Sequence, residues 1–304
     1  MDVYLPIANL SVNALVIILL GGGVGLLSGM FGVGGGFLTT PLLIVYGIPP
    51  TVAAASAASQ VTGASVSGAM AHFRRGGIDI HMGVVMVAGG VMGAIAGAGV
   101  FRLLQASGQI DTVIAVLYVL LLGSIGALML REALQTIGAM RAGRPPRPRK
   151  RRHHPLVAAL PLRWRFYRSG LYISPLAPLI LGFATGMLTV LLGVGGGFVL
   201  VPAMLYLLGM STQVVVGTSL FQILFVTAAA TMTHALTTKA VDIVLAALLL
   251  LGSVAGAQVG ARLAQRMQPE YLRLALAAMV LLVAIRMLLG LAWRPDEIFT
   301  VEIS

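Results

Sequence analysis

Ten apolar runs make up most of this chain and leave little room for charge. They fall at about 12–31, 33–47, 51–73, 82–104 and 110–130, and again at 174–192, 196–208, 213–236, 241–263 and 271–293. A helix needs about 20 residues to cross about 30 Å of hydrocarbon, and eight of the runs reach that length. The runs 33–47 and 196–208 are shorter, and each follows a glycine cluster. Outside residues 131–172, the remaining 262 residues hold only 17 Asp, Glu, Lys and Arg. A soluble domain carries roughly 25% of these residues, so too little polar surface exists to cover a water-exposed globule. The pattern predicts an all-α polytopic membrane protein.

The charge is concentrated in one place. Residues 131–172 carry eleven basic residues and one acid, Glu132, which is +10 of the chain's net +11. The alkaline character therefore belongs to one loop, and no nucleic-acid motif accompanies it. The chain has no cysteine, which excludes thiol catalysis, thiolate metal sites and disulfides. The opening MDVYLPIANLS lacks a basic n-region and carries Asp2, so the first apolar segment is expected to be retained.

The two short runs expose an internal repeat. Gly25, Leu27, Gly32–Phe37 and Pro41 match Gly186, Leu188, Gly193–Phe198 and Pro202. Further on, Gln60 and His72 match Gln222 and His234, and Asp79 matches Asp242 after a one-residue insertion. Gly89, Gly93 and Gly97 match Gly252, Gly256 and Gly260. The chain reads as a first transmembrane repeat over 12–130, a basic cytoplasmic loop over 131–172 and a second repeat over 173–293. With that loop inside, Arg74, Arg75, Arg266 and Arg273 also fall inside, while Arg102, Lys239 and Arg294 fall outside. This follows the positive-inside bias and gives each repeat an odd number of crossings. The second copy is then inverted, each copy having a Gly-rich broken helix or hairpin.

GVGGGF is the strongest chemical signal. Gly34, Gly35 and Gly36, and again Gly195, Gly196 and Gly197, stand where a helix is about to begin. Glycine permits positive φ and close approach to the backbone, and a helix start presents N–H donors. Tight helix packing is the bland reading. Duplication ahead of two short helices favours an anion site.

Gln60 and Gln222 fall near the centres of their runs, with Ser56 and Thr218 one turn earlier. Amides and hydroxyls replace an anion's hydration without a fixed charge. They also bond helix to helix in bundles, and the sequence leaves both readings open. His72 and His234 close those same helices on opposite sides, so they form no dyad. Proton coupling is one role for them, and a satisfied interfacial histidine is the one favoured. Arg286 is the cation deepest in a run, which makes it a substrate-contact candidate, or it snorkels outward. The Gly89 and Gly252 series predict close helix packing. Arg163–Arg168, with Trp164, Phe166 and Tyr167, reads as an interfacial anchor to anionic lipid. His153 and His154 sit among cations, which argues against metal binding, and no cofactor is called for. Enzyme motifs such as HExxH and GxSxG are absent.

The duplicated GVGGGF…P motifs, the trailing histidines and the Gly-rich fourth segments resemble the TauE/SafE sulfite-exporter family, also described as toluene-sulfonate uptake permeases. The similarity covers Gly21–Leu104 and Gly182–Met287. It implies a multi-pass inner-membrane secondary transporter for a small anion, typically sulfite or an organosulfonate, with Gly34–Gly36 and Gly195–Gly197 facing the substrate. The first half has Ala55-Ser56-Ala57 where a Thr-Ser pair is usual, and the second keeps Thr218-Ser219. A passive anion channel and a non-transporting membrane scaffold are the alternatives. The bilayer and the anion are the expected partners, nucleic acid is not, and a homo-oligomer is compatible.

Overall fold

A computed structural model describes residues 2–31, 35–74, 76–141, 161, 163–210, 212–264 and 269–292. Among these residues the protein is all-α apart from two short hairpins. Strands β1 (Asp2–Leu5) and β2 (Leu10–Asn13) lead into α1 (Ala14–Phe31), α2 (Gly36–Val45), α3 (Pro50–Arg74), α4 (Ile80–Ala106) and α5 (Ile110–Arg141). Strands β3 (Trp164–Phe166) and β4 (Leu171–Ile173) lead into α6 (Leu176–Leu192), α7 (Gly197–Tyr206), α8 (Thr212–Thr233), α9 (Ile243–Ala264) and α10 (Pro269–Ala292). A single π turn, His234–Thr238, extends α8. Among the described residues, five stretches are long and apolar enough to cross a membrane: Ile80–Ala106, Ile110–Gly138, Val214–Thr238, Ile243–Gly260 and Leu274–Ala292. Large apolar side chains such as Leu19, Ile95, Leu120, Leu251 and Leu282 are exposed, as a lipid-facing surface requires.

The other helices depart from a simple count of crossings for local reasons. The glycine clusters end α1 and α6 at 18 and 17 residues. Gly193, at φ 69°, caps α6 in the left-handed region and donates to Thr189 O at 2.8 Å, a common helix stop. Helices α2 and α7 have ten residues each, so they span only about 15 Å. Helix α3 has 25 residues but is rich in Ala, Ser, Thr and Gly. Small side chains suit its position, for Ala53–Ala58, Gln60 and Val61 are all buried.

The two sets of five helices pack by exchange. Helix α1 lies along α9 and α4 along α6, each first helix against the fourth helix of the other set. Glycine makes these contacts possible. A Cβ on Gly89, Gly93 or Gly97 would meet the backbone of Leu179, Phe183 or Met187, and one on Gly252, Gly256 or Gly260 would meet Ile18, Gly22 or Leu26. The close packing expected of both series is what they do. Partner numbers rise together in these pairs, so the helices run parallel. Helices α3 and α8 run antiparallel: Ser59 donates to Thr231 at 3.4 Å, Thr62 donates to Thr227 at 2.9 Å, and Gly68 lies against Leu220. The fifth helices, α5 and α10, pack on one another.

Both hairpins are held by the same exchange. Asp79 caps α4 by accepting from Met82 N at 3.1 Å, and its other oxygen accepts from Ser169 N and Ser169 Oγ at 2.9 and 2.5 Å. Asp242 caps α9 by accepting from Val244 N and Leu245 N, both at 3.1 Å, and its other oxygen accepts from Ile7 N at 3.1 Å. Each aspartate thus grips the hairpin that precedes the other helical set. Asp242→Ala should lower stability by roughly 1–3 kcal/mol, the loss of a cap and of a buried hydrogen-bond partner. Thermal unfolding in detergent reads this out, and an unchanged midpoint would show that the hairpin is not held there.

Candidate functional site

The glycine turns meet at the centre of the bundle. A Cβ on Gly36 would lie 2.5 Å from Val61 Cγ2, 2.7 Å from Val194 O and 2.9 Å from Gly193 O, so only glycine lets the first turn touch the second. Phe37 and Phe198, the last residues of the two motifs, stack with centroids 4.4 Å apart and planes 3° from parallel. Both rings are buried in the central apolar cluster with Tyr118, Val190 and Val194.

The repeated motif adopts two backbone conformations. Gly35 is right-handed, φ −51°, whereas its counterpart Gly196 has φ 74° and Gly195 has φ 71°. A side chain would therefore be strained by the backbone at Gly195 and Gly196 and not at Gly35. Gly34 lies outside the described residues. The carbonyls leading into the second turn are held from two sides: Tyr118 Oη donates to Leu192 O, and His234 Nε2 lies 2.9 Å from Val190 O.

Each glutamine is tied to its own turn through one threonine. Thr39 Oγ1 lies 3.1 Å from both Gly35 O and Gln60 Oε1. Gln222 Nε2 donates to Thr185 Oγ1 at 3.4 Å, and Thr185 Cβ is 3.0 Å from where a Gly196 Cβ would stand. Two arms result, Gln60–Thr39–Gly35 and Gln222–Thr185–Gly196, and they join where Gly36 meets Val194. Both glutamines are buried, yet Gln60 Nε2 and Gln222 Oε1 have no hydrogen-bond partner, nor does Ser65 Oγ. A buried polar atom left unpaired costs about 1–3 kcal/mol, so such atoms mark places where a ligand improves the balance.

The glutamines do not face one another. With Ser59 opposite Thr231 and Thr62 opposite Thr227, Gln60 stands about seven residues from the level of Gln222, roughly 10 Å along the axis. Nor do Ser56 and Thr218 belong to the arms. Ser56 Oγ accepts from Asp242 N at 3.1 Å and Thr218 Oγ1 accepts from Asp79 N at 3.0 Å, so both hydroxyls join the exchange that holds the hairpins. His234 is buried, with Nδ1 3.2 Å from Thr238 Oγ1 and the Phe101 ring edge-on at 5.0 Å. It is a fully satisfied side chain that supports the second turn. His72, half-buried, ends α3 far from that position, and its carbonyl accepts from Gly77 N at 2.9 Å. Arg286 is exposed on α10, and its Nη1 runs along its own helix to within 3.7 Å of a Cβ built on Gly290. An exposed guanidinium lying along its own helix accords with the snorkelling alternative.

Sequence reading missed Thr39 and Thr185. The signal was there, since each is a hydroxyl residue inside an apolar run, but a threonine in a membrane helix commonly bonds its own backbone. Thr185 also does this, donating to Leu181 O at 2.9 Å. Among the described residues no group of three or more His, Cys, Asp or Glu is placed to hold a metal ion.

Comparison with known proteins agrees with this architecture. No solved structure matches the chain. A probable membrane transporter protein, YjnA, of Bacillus subtilis (strain 168) is 28% identical over 272 residues, covering 90% of this chain and 98% of the relative. A probable membrane transporter protein of Xylella fastidiosa (strain 9a5c) is 27% identical over 260 residues, covering 84% and 87%. The family model described as sulfite exporter TauE/SafE matches residues 17–287. That span takes in both glycine turns, both glutamines and both exchanged helix pairs, and the chain belongs to the TauE/SafE sulfite exporter family of membrane transporters.

Proposed function

We propose that this transporter is a secondary carrier of a small sulfur oxyanion, sulfite or an organosulfonate, across the cytoplasmic membrane, and that the two glutamine–threonine–glycine arms form its path. One observation carries the reading most: Gln60 Nε2 is a buried donor without a partner, on an arm that ends at a helix-starting glycine turn. A neutral amide suits a carrier, because an anion held by dipoles leaves more readily than one held by a full charge. The two buried acids of the described residues, Asp79 and Asp242, are bonded to backbone N–H groups, so neither opposes an anion from within the arms. The axial offset of the glutamines makes them two successive stations rather than one clamp. The Phe37–Phe198 stack between the turns is the barrier that must shift for the anion to pass.

The family's description as a sulfite exporter supports the substrate class. The antiparallel packing of α3 on its counterpart α8 supports an inverted arrangement of the repeats, as alternating-access carriers use. The test is counterflow of labelled sulfite in vesicles with purified protein, competed by sulfoacetate, sulfate and a carboxylate. Saturable, trans-stimulated flux is expected. Large currents without saturation would favour a channel, and no flux of any sulfur oxyanion would remove the substrate proposal.

The sidedness is tested separately. A cysteine at Arg149, in the +10 segment, should resist an impermeant maleimide added to intact cells and react once the cells are opened. Efficient labelling from outside would reverse the orientation of both repeats. That position lies outside the described residues, so the test rests on charge alone.

A further inference from the structure

Where the β3–β4 hairpin meets the α3–α4 connection, a cavity of about 360 Å³ opens at the protein surface. Phe73, Ile78, Ile80 and Tyr167 give it an apolar wall, and Arg168 and His81 supply its polar groups. Gly76 shapes it: at φ 66° this residue is left-handed, and a Cβ there would lie 2.6 Å from Arg168 Nη1. With no Cβ in the way, Arg168 reaches Gly76 O through Nη1 and keeps the rest of its donor fork available. The opening turn of α4 borders the cavity at Ile80 and His81, where N–H groups have no intrahelical acceptor. Asp79, the neighbouring acid, has its carboxylate bonded to Met82 N and Ser169. Arg74, Arg163 and Arg165 add positive charge on the same two segments. Phe73, Ile80 and Tyr167 are exposed beside these cations.

We propose that this cavity is a headgroup site for an anionic phospholipid. Arg168 and His81 hold the phosphate at the start of α4, and the glycerol and upper acyl carbons lie against Phe73, Ile80 and Tyr167. An apolar wall next to a fixed cation, at the start of α4, a helix long and apolar enough to cross a membrane, matches a lipid better than a free anion. The other hairpin offers no cation of its own, for residues 2–13 carry Asp2 and no basic residue. Occupancy would also brace Ser169 against Asp79, because Arg168 and Ser169 are adjacent. The inference goes beyond the transport reading and is read out by binding, so either can fail alone.

Full-length protein in neutral detergent is titrated with phosphatidylglycerol or phosphatidylcholine, with parallel arms of glycerol 3-phosphate and inorganic phosphate. Bound lipid is followed by native mass spectrometry and the unfolding midpoint by thermal shift. Phosphatidylglycerol alone should remain bound and raise the midpoint. Arg168→Gln should weaken its binding by roughly fivefold, the worth of one basic residue near an anionic surface. Ile80→Glu should do at least as much. Ile80 is exposed, so this variant keeps the test decisive if Arg168→Gln fails to assemble. Arg147→Gln, in the basic segment, should change little. Equal binding of both lipids, or full binding by Ile80→Glu, would overturn the site. So would an equal fall in Arg147→Gln, which signals diffuse attraction, or the same stabilisation from inorganic phosphate, which makes the ligand a free anion.

Discussion

Gly196→Val and Gly36→Ala should each abolish transport of labelled sulfite in vesicles while the protein still inserts and expresses. At Gly196 the backbone sits at φ 74° and the new Cβ would be 3.0 Å from Thr185 Cβ. A left-handed non-glycine residue costs about 1–2 kcal/mol, and β-branching makes that conformation a genuine outlier. Relief rotates the turn and pulls Thr185 from Gln222. At Gly36 the obstacle is the other repeat's turn, with Val194 O and Gly193 O at 2.7 and 2.9 Å. A backbone carbonyl cannot swing aside as a side chain does, so even alanine should separate the turns. Gly35→Ala should be the mildest: the conformation is right-handed and its nearest neighbour is the Val24 Cγ1 methyl, at 2.9 Å. Near-normal flux through properly inserted Gly196→Val and Gly36→Ala would reduce both glycines to packing residues and remove the anion path.

Gln60→Leu should weaken substrate binding by roughly 1–3 kcal/mol, the loss of a hydrogen bond to a charged group, or about 5- to 150-fold in affinity. The thermal midpoint should hold or rise, because an unpartnered Nε2 disappears from a buried position. Gln222→Leu should do less to affinity, since the free atom there is Oε1, an acceptor, and Nε2 is engaged with Thr185. The ranking of the two variants therefore tests which amide atom each glutamine presents to the anion. Equal, large losses mean that Gln222 presents its Nε2 to the anion. Unchanged affinity in both variants would make the pair structural.

Much of the architecture was legible because membrane burial writes itself in composition. The ten runs became ten helices, and the two short runs after the glycine clusters became α2 and α7. The glycine series announced close packing, although not its partners. Only the fold shows that Gly89 and its successors lie on α6, in the other repeat. The hairpins were opaque for a different reason. Each strand has three or four residues, too few for an alternation to register, and β3–β4 lay hidden inside a run of cations. Ser56 and Thr218 looked like site residues because they stand one turn from the glutamines. Their bonds instead run to Asp242 and Asp79, partners more than a hundred residues away in sequence. The glutamines themselves were readable as buried and polar, but their axial offset depends on the α3–α8 register, which no periodicity encodes.

The swap of hairpins and helices between the repeats dictates an order of assembly. The amide of Ile7 finds its acceptor on Asp242, 235 residues later. At ~5–20 residues per second of synthesis, the amino-terminal hairpin emerges many seconds before the residue that secures it. Helix α1 waits equally long for α9, its bare glycine face meanwhile open to lipid or to an insertase. The first repeat thus leaves the ribosome before the surfaces that complete it, which arrive only with the second. The same interlocking means that the halves, made as separate polypeptides in one cell, each hold the surface that the other lacks.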